Sequence, residues 1–102
     1  MTERQRLAED ELKKVVHSLP GWTLDNNKLH KQYTFPDFAH AFGFMATAAV
    51  LIGKLNHHPE WSNVYNRVDV HLTTHDAGGV SGRDVELARL LDRISAPLVA
   101  NR

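Results

Sequence analysis

At 102 residues the chain has the length of one domain, residues 1–102, with room for a single hydrophobic core. Its 12 Lys and Arg balance 12 Asp and Glu with no basic cluster, which argues against direct binding to nucleic acid or to an anionic membrane. The absence of cysteine excludes a disulfide framework, a thiolate nucleophile and a cysteine zinc site, and the start "MTERQRLAEDEL" lacks an apolar signal core, so a soluble cytoplasmic protein is expected.

In chain order, Leu12, Val15, Val16 and Leu19 keep the spacing of one helical face, with charged residues between them. They predict an amphipathic helix that ends before Pro20-Gly21. Thr2 with Gln5 offers a capping box for its start, although the apolar stripe begins several residues later. Next, "WTL", the turn-forming "DNN" and "KLHKQYTF" read as a hairpin with Leu29, Tyr33 and Phe35 on one face. Pro36-Asp37 closes the strand and opens a helix.

That helix, "DFAHAFGFMATAAVLIGKLN", has two apolar sides. Phe38, Phe42, Met45, Ala49 and Ile52 lie on one, and Phe44, Ala48 and Leu51 on another. A helix apolar around much of its circumference needs cover on both sides, here the sheet and a second subunit. Its longest apolar run, about a dozen residues, falls short of the roughly 20 that span a bilayer. From Glu60 onward the period changes to two, with Val68, Val70 and Leu72 alternating with Asp69, His71 and Thr73, so a second hairpin is expected with its turn near Tyr65-Asn66-Arg67. Gly78-Gly79 supplies a tight turn, Ser81 with Asp84 resembles a capping box, and Val85, Ala88, Leu91 and Ile94 face inward on a last helix that Pro97 ends.

The order α-β-β-α-β-β-α gives an α+β fold class, a two-layer sandwich of a four-stranded antiparallel sheet with helices packed on one face.

Seven histidines stand in the chain, and three of them are candidates for chemistry. His57 and His58 follow the long helix, and Pro59 holds His58 in extended backbone. His75 sits where the last strand leaves the sheet. Pairing of the hairpin strands brings all three to one end of the sheet, near Trp61 and Asp76. Imidazoles titrate near neutral pH, so such a cluster suits paired general acid and general base work. Neither Ser62 nor Ser81 lies in a G-x-S-x-G elbow. Three imidazoles also suit zinc, but no close-spaced motif such as H-E-x-x-H is present, and the expectation is no metal. Helix capping is the bland alternative for the pair. Trp22, Trp61 and Tyr65 can pack in the core or line a flat pocket. His17, His30, His40 and His71 read as structural, and Asp84 as a helix-start carboxylate.

The segments "LNHHPEWSNVYNRVDVHLTTHDAGGVSGRDVELA", "LPGW" and "YTFPDFAHAFGFM" resemble the pterin-4a-carbinolamine dehydratase family, also known as a dimerisation cofactor of a homeodomain transcription factor. The likeness runs from about Leu12 to Ile94, and the HHPEW and THDAGG elements are specific. It implies dehydration of 4a-hydroxytetrahydropterin to quinonoid dihydropterin in tetrahydrobiopterin recycling, a functional link to an aromatic amino-acid hydroxylase, and no cofactor. It implies catalytic His57, His58 and His75, with substrate contacts at His57, His58, Pro59, Thr74, His75, Asp76, Ala77 and Trp22. By that likeness His57 and His75 share the acid and base tasks and His58 orients the pterin. It also implies a homodimer or homotetramer built through the helix 37–55. Animal members commonly carry glutamate at the position of Gly53 and aspartate at that of Asn56, so an acidic contribution near the histidines is missing or comes from elsewhere. A non-catalytic dimerisation or regulatory module, binding another protein through the long helix, is the competing function.

Overall fold

A computed structural model describes residues 5–99. Thr2, half of the expected capping box, lies outside the described residues. The first helix, α1 (Glu9–His17), starts instead at Ala8, whose backbone N–H donates to the Glu11 carboxylate at 3.1 Å. Acidic Glu9, Asp10 and Glu11 in its first turn complement the helix dipole.

Strands β1 (Thr23–Asp25) and β2 (Lys28–Thr34) form a hairpin with Asp25 opposite Lys28. Asn26 and Asn27 make its turn at φ 54° and 66°, left-handed backbone that asparagine tolerates better than most residues. The long helix α2 (Phe38–Leu55) opens with Asp37, whose carboxylate accepts from the His40 N–H. Strands β3 (Glu60–Val64) and β4 (Arg67–Leu72) form the second hairpin, and helix α3 (Gly82–Ser95) closes the fold. All pairings are antiparallel, in the order β1-β2-β4-β3, so the two longer strands β2 and β4 hold the centre.

Strand alternation puts Leu29 and Tyr33 of β2 and Val68, Val70 and Leu72 of β4 on the face covered by helices, all buried. The rings of Phe35, just past β2, and Phe44 of α2 pack tilted with centroids 5.2 Å apart, and Leu87, Ala88 and Leu91 of α3 complete the same core. At one end of this core lies a polar network. Asp92 of α3 accepts from the Trp22 indole, the Lys31 ammonium and the Tyr33 hydroxyl, the last at 2.6 Å. Burial, and then the Asp92 carboxylate, push the Tyr33 hydroxyl far above its ordinary pKa.

Helix α2 divides its apolar residues differently from the expected stripes. Ala41, Phe44, Ala48 and Ile52 are buried, whereas Phe38, Phe42 and Val50 are exposed at 48%, 55% and 65%. By length and composition alone, this 18-residue helix resembles a membrane span. Its buried stripe is nevertheless committed to the core shared with the sheet and α3.

Candidate active site

At the end of α2 the helix must stop so that the chain can turn into β3. Asn56 makes the stop at φ 55°, ψ 41°, a left-handed cap with its N–H on the Ile52 carbonyl. Arg83, in the first turn of α3, donates to the Leu55 carbonyl at 2.7 Å and the Asn56 carbonyl at 3.3 Å. The helix end is thereby tied to α3, and the three residues that follow, His57, His58 and Pro59, leave from a fixed corner.

On the other side, β4 ends and Thr74 enters a 3-10 turn, His75–Ala77, closed by Gly78 at φ 76°. That left-handed angle favours glycine, which has no Cβ to clash there. Thr74 and Gly79 bridge across the turn, which brings the chain back to Ser81 at the start of α3.

Between these two corners lies a groove of about 380 Å³, lined by Asn56, His57, His58, Pro59, Glu60, Thr73, Thr74, His75, Asp76 and Arg83. Its size is within the range of small-molecule sites. A larger hollow of about 570 Å³ lies between the N-terminal segment and β1, and it contains none of the histidines. The chemistry therefore selects the smaller groove. The structure brings His57, His58, Pro59, Thr74, His75 and Asp76 together there, with Ala77 adjoining in the same 3-10 turn.

Trp22 is not among these residues. It is buried at 3% exposure in the core, where its indole N–H meets Asp92 and its ring stands edge-on to Tyr33. An indole in this network satisfies its one donor internally, which is why it belongs to the packing of the sheet and not to the groove. Trp61 also packs on the core, edge-on to Phe44, and Tyr65 is exposed at the far turn of the second hairpin.

Asp84 does more than begin a helix. Its carboxylate is fully buried and hydrogen-bonded to His57 Nε2 at 2.6 Å. It also accepts from the Thr74 hydroxyl at 2.8 Å and the Ser81 N–H at 2.9 Å. The expected capping box of Ser81 and Asp84 is present, and the same carboxylate holds a groove histidine from beneath. His57, with 12% of its side chain exposed, is thus fixed by a buried anion, while His75 has 86% exposed. His75 Nε2 lies 3.6 Å from Glu60, whose other oxygen accepts from Lys28 at 2.6 Å. The Lys28 hydrogen bond holds the Glu60 carboxyl below its ordinary pKa, against the opposing effect of burial. A carboxylate paired with Lys28 therefore stands at the mouth of the groove near an exposed imidazole. Of the three imidazoles lining the groove, His57 is mostly buried and His75 is solvated, each near a carboxylate, an arrangement suited to moving two protons at one small molecule.

Glu60 and Arg83 carried no signal in the sequence apart from their neighbours. Asp84 carried one, its three-residue spacing from Ser81, but that spacing describes a cap and is silent about the histidine 27 residues away.

Residues 5–94 match the family described as pterin 4 alpha carbinolamine dehydratase. A relative from Solibacter usitatus, named "Putative pterin-4-alpha-carbinolamine dehydratase", is 50% identical over 91 residues, 89% of this chain and 96% of the relative. A relative of the same name from Prochlorococcus marinus is 49% identical over 86 residues, covering 84% of this chain and 90% of its own length. The crystal structure titled transcriptional coactivator/pterin dehydratase from Brucella melitensis superposes with a TM-score of 0.85 at 44% identity, covering 88% of this chain and 98% of that one.

Proposed function

The chain belongs to the pterin 4 alpha carbinolamine dehydratase family, and we propose that its histidine groove catalyses loss of water from 4a-hydroxytetrahydropterin in tetrahydrobiopterin recycling. The observation that carries this reading is the buried Asp84 carboxylate on His57, opposite the solvated His75, across a groove of suitable size.

In this reaction the C4a–O bond breaks, the departing hydroxyl takes a proton and leaves as water, and the N5 proton goes to a base as the C4a–N5 double bond forms. One acid and one base balance the change. His57 suits the base. Its Nε2–H donates to Asp84, leaving Nδ1 to take a proton, and the carboxylate stabilises the imidazolium that results. His75, beside the Glu60 carboxylate and open to solvent, suits the acid, and water can restore its proton. Next to Pro59, His58 suits orientation of the flat ring. Backbone groups of Thr74 to Ala77 and the Asp76 carboxylate offer polar partners to a heterocycle rich in hydrogen-bonding edges. No cofactor is needed to balance these steps.

The reading extends to assembly and place. The exposed Phe38, Phe42 and Val50 side of α2 would be covered by a second copy, giving a homodimer or homotetramer. An aromatic amino-acid hydroxylase in the cytoplasm is the class of enzyme that would supply the substrate.

The test uses 4a-hydroxytetrahydropterin generated in place by a phenylalanine hydroxylase, with chelator present. Expected is a decline in the protein's acceleration of roughly 10²–10⁴-fold in His57→Ala and a comparable loss in His75→Ala, both folded. A wild-type rate retained by both variants would refute the assignment of acid and base.

A further inference from the structure

The sheet has a second face, turned away from the helices, and it carries a group of side chains that the groove does not use. His30 of β2 and His71 of β4 are direct cross-strand partners. Their neighbours Leu29, Val70 and Leu72 are buried in the core, so alternation places both imidazoles on the outer face. The rings stack with centroids 4.3 Å apart and planes 21° from parallel. His30 Nε2 lies 2.8 Å from Asp69 Oδ1, and His71 Nε2 lies 2.9 Å from Asp25 Oδ2. His71 Nδ1 is also 3.6 Å from the other oxygen of Asp69.

Two imidazoles bracketed by two carboxylates form a donor set of nitrogen and oxygen only. One donor atom each from Asp25, His30 and His71 lies within 4.8 Å of the others. Ligands about 2.0–2.2 Å from a zinc ion in tetrahedral array stand a little over 3 Å apart. Rotation of exposed side chains, chiefly Asp25 with 59% exposure, can close that difference without moving the strands. The local charge also fits, because two carboxylates and two neutral imidazoles balance a divalent cation. Of the cations on the same face, Lys28 is engaged by Glu60, and Arg67 stands at the other end of β4 from His71. Asp69 then stands where a carboxylate commonly supports a metal-bound imidazole, within reach of the free nitrogen of His71.

We propose that Asp25, His30 and His71 form a zinc-class divalent cation site on the outer face of the sheet, with Asp69 orienting the imidazoles. The ion would join β1, β2 and β4. This matters most for β1, an edge strand of three exposed residues that ends at Asp25. The site is independent of the dehydratase reading, since none of its ligands lines the histidine groove.

The test is zinc titration of the full chain by calorimetry, with ring ¹⁵N shifts of the histidines followed in parallel. Expected is one equivalent per chain with Kd on the order of 10 µM or tighter, shifts at His30 and His71, and a raised Tm. Uptake should persist in a His57→Ala, His58→Ala, His75→Ala variant. In His30→Gln, His71→Gln it should weaken by more than the roughly 10- to 100-fold that loss of a supporting hydrogen bond costs. If that variant does not fold, Asp25→Asn at the exposed edge must still weaken binding. Absence of saturable uptake overturns the proposal. So does uptake that follows the groove histidines, or uptake unchanged by Asp25→Asn.

Discussion

Asp84 is surrounded by three donors from three parts of the chain, namely the His57 ring, the Thr74 hydroxyl and the Ser81 backbone. An amide in its place cannot accept on both sides, so Asp84→Asn must turn an N–H₂ toward either His57 or the Ser81–Thr74 pair. Loss of hydrogen bonding to a buried group costs about 1–3 kcal/mol, and urea unfolding should detect this. A purely structural role would leave the pH profile of the dehydration rate in place. The positioning role predicts that the profile moves in Asp84→Asn, because the imidazolium on His57 loses its counter-charge. Glu60 yields a second prediction. Its carboxyl is held below its ordinary pKa chiefly by Lys28, so the bridge's stabilisation is present above the ordinary glutamate value and is lost as pH falls through the lowered one. Both side chains are about a third or more exposed, 32% and 42%, so the effect on stability is small, on the order of 0.2–1 kcal/mol. The side-chain carbon shift of Glu60 should titrate below the normal glutamate range, and Lys28→Ala should move it back up. The histidine rim was legible in the sequence because Pro59 fixes a corner and hairpin pairing fixes its opposite. The partner of His57 was not legible, since the burial of Asp84 depends on α3, β4 and the α2 corner meeting. For Trp22 the sequence leaves core packing and pocket lining both open, and only the family likeness points it to the pocket; its acceptor Asp92 lies 70 residues on, and no local pattern announces that contact.

At the scale of elements, the strands were the most legible. Val68, Val70 and Leu72 alternate with polar residues and are all buried, and a period of two has one solution once a face is covered. Helix α2 was less so, because a segment apolar on most sides does not say which side meets its own sheet. The structure assigns Ala41, Phe44, Ala48 and Ile52 to the sheet and core, leaving Phe38 and Phe42 outside. Near the end of this helix, Gly53 has nothing within 4 Å of the position its Cβ would occupy. An alanine there fills no occupied space and limits the freedom of the unfolded chain. Gly53→Ala should therefore stabilise the protein by up to about 1 kcal/mol, read as a higher urea midpoint at constant slope. The same open space would admit the longer side chain of Gly53→Glu.

For the whole molecule, one exposed apolar helix side beside a complete core argues for a partner, and the proposed partner is a second copy. Light scattering behind size exclusion should give a dimer or tetramer for the wild type. Phe42→Asp, which places a charge at a site 55% exposed in the single chain, should shift it to a smaller species with its circular dichroism unchanged. A wild-type monomer would remove the need for the second copy. The four-stranded sheet places the histidine groove at one of its ends, with the Asp92 network at another part of the core and the His30–His71 pair on the face away from the helices.

Whether the groove is a dehydratase site is decided by the rate of water loss from 4a-hydroxytetrahydropterin with the chelated wild-type protein, set against buffer alone. A dehydratase groove gives an acceleration proportional to protein concentration that survives chelation. A folded wild type that leaves the spontaneous rate unchanged would contradict that assignment, whatever the groove binds.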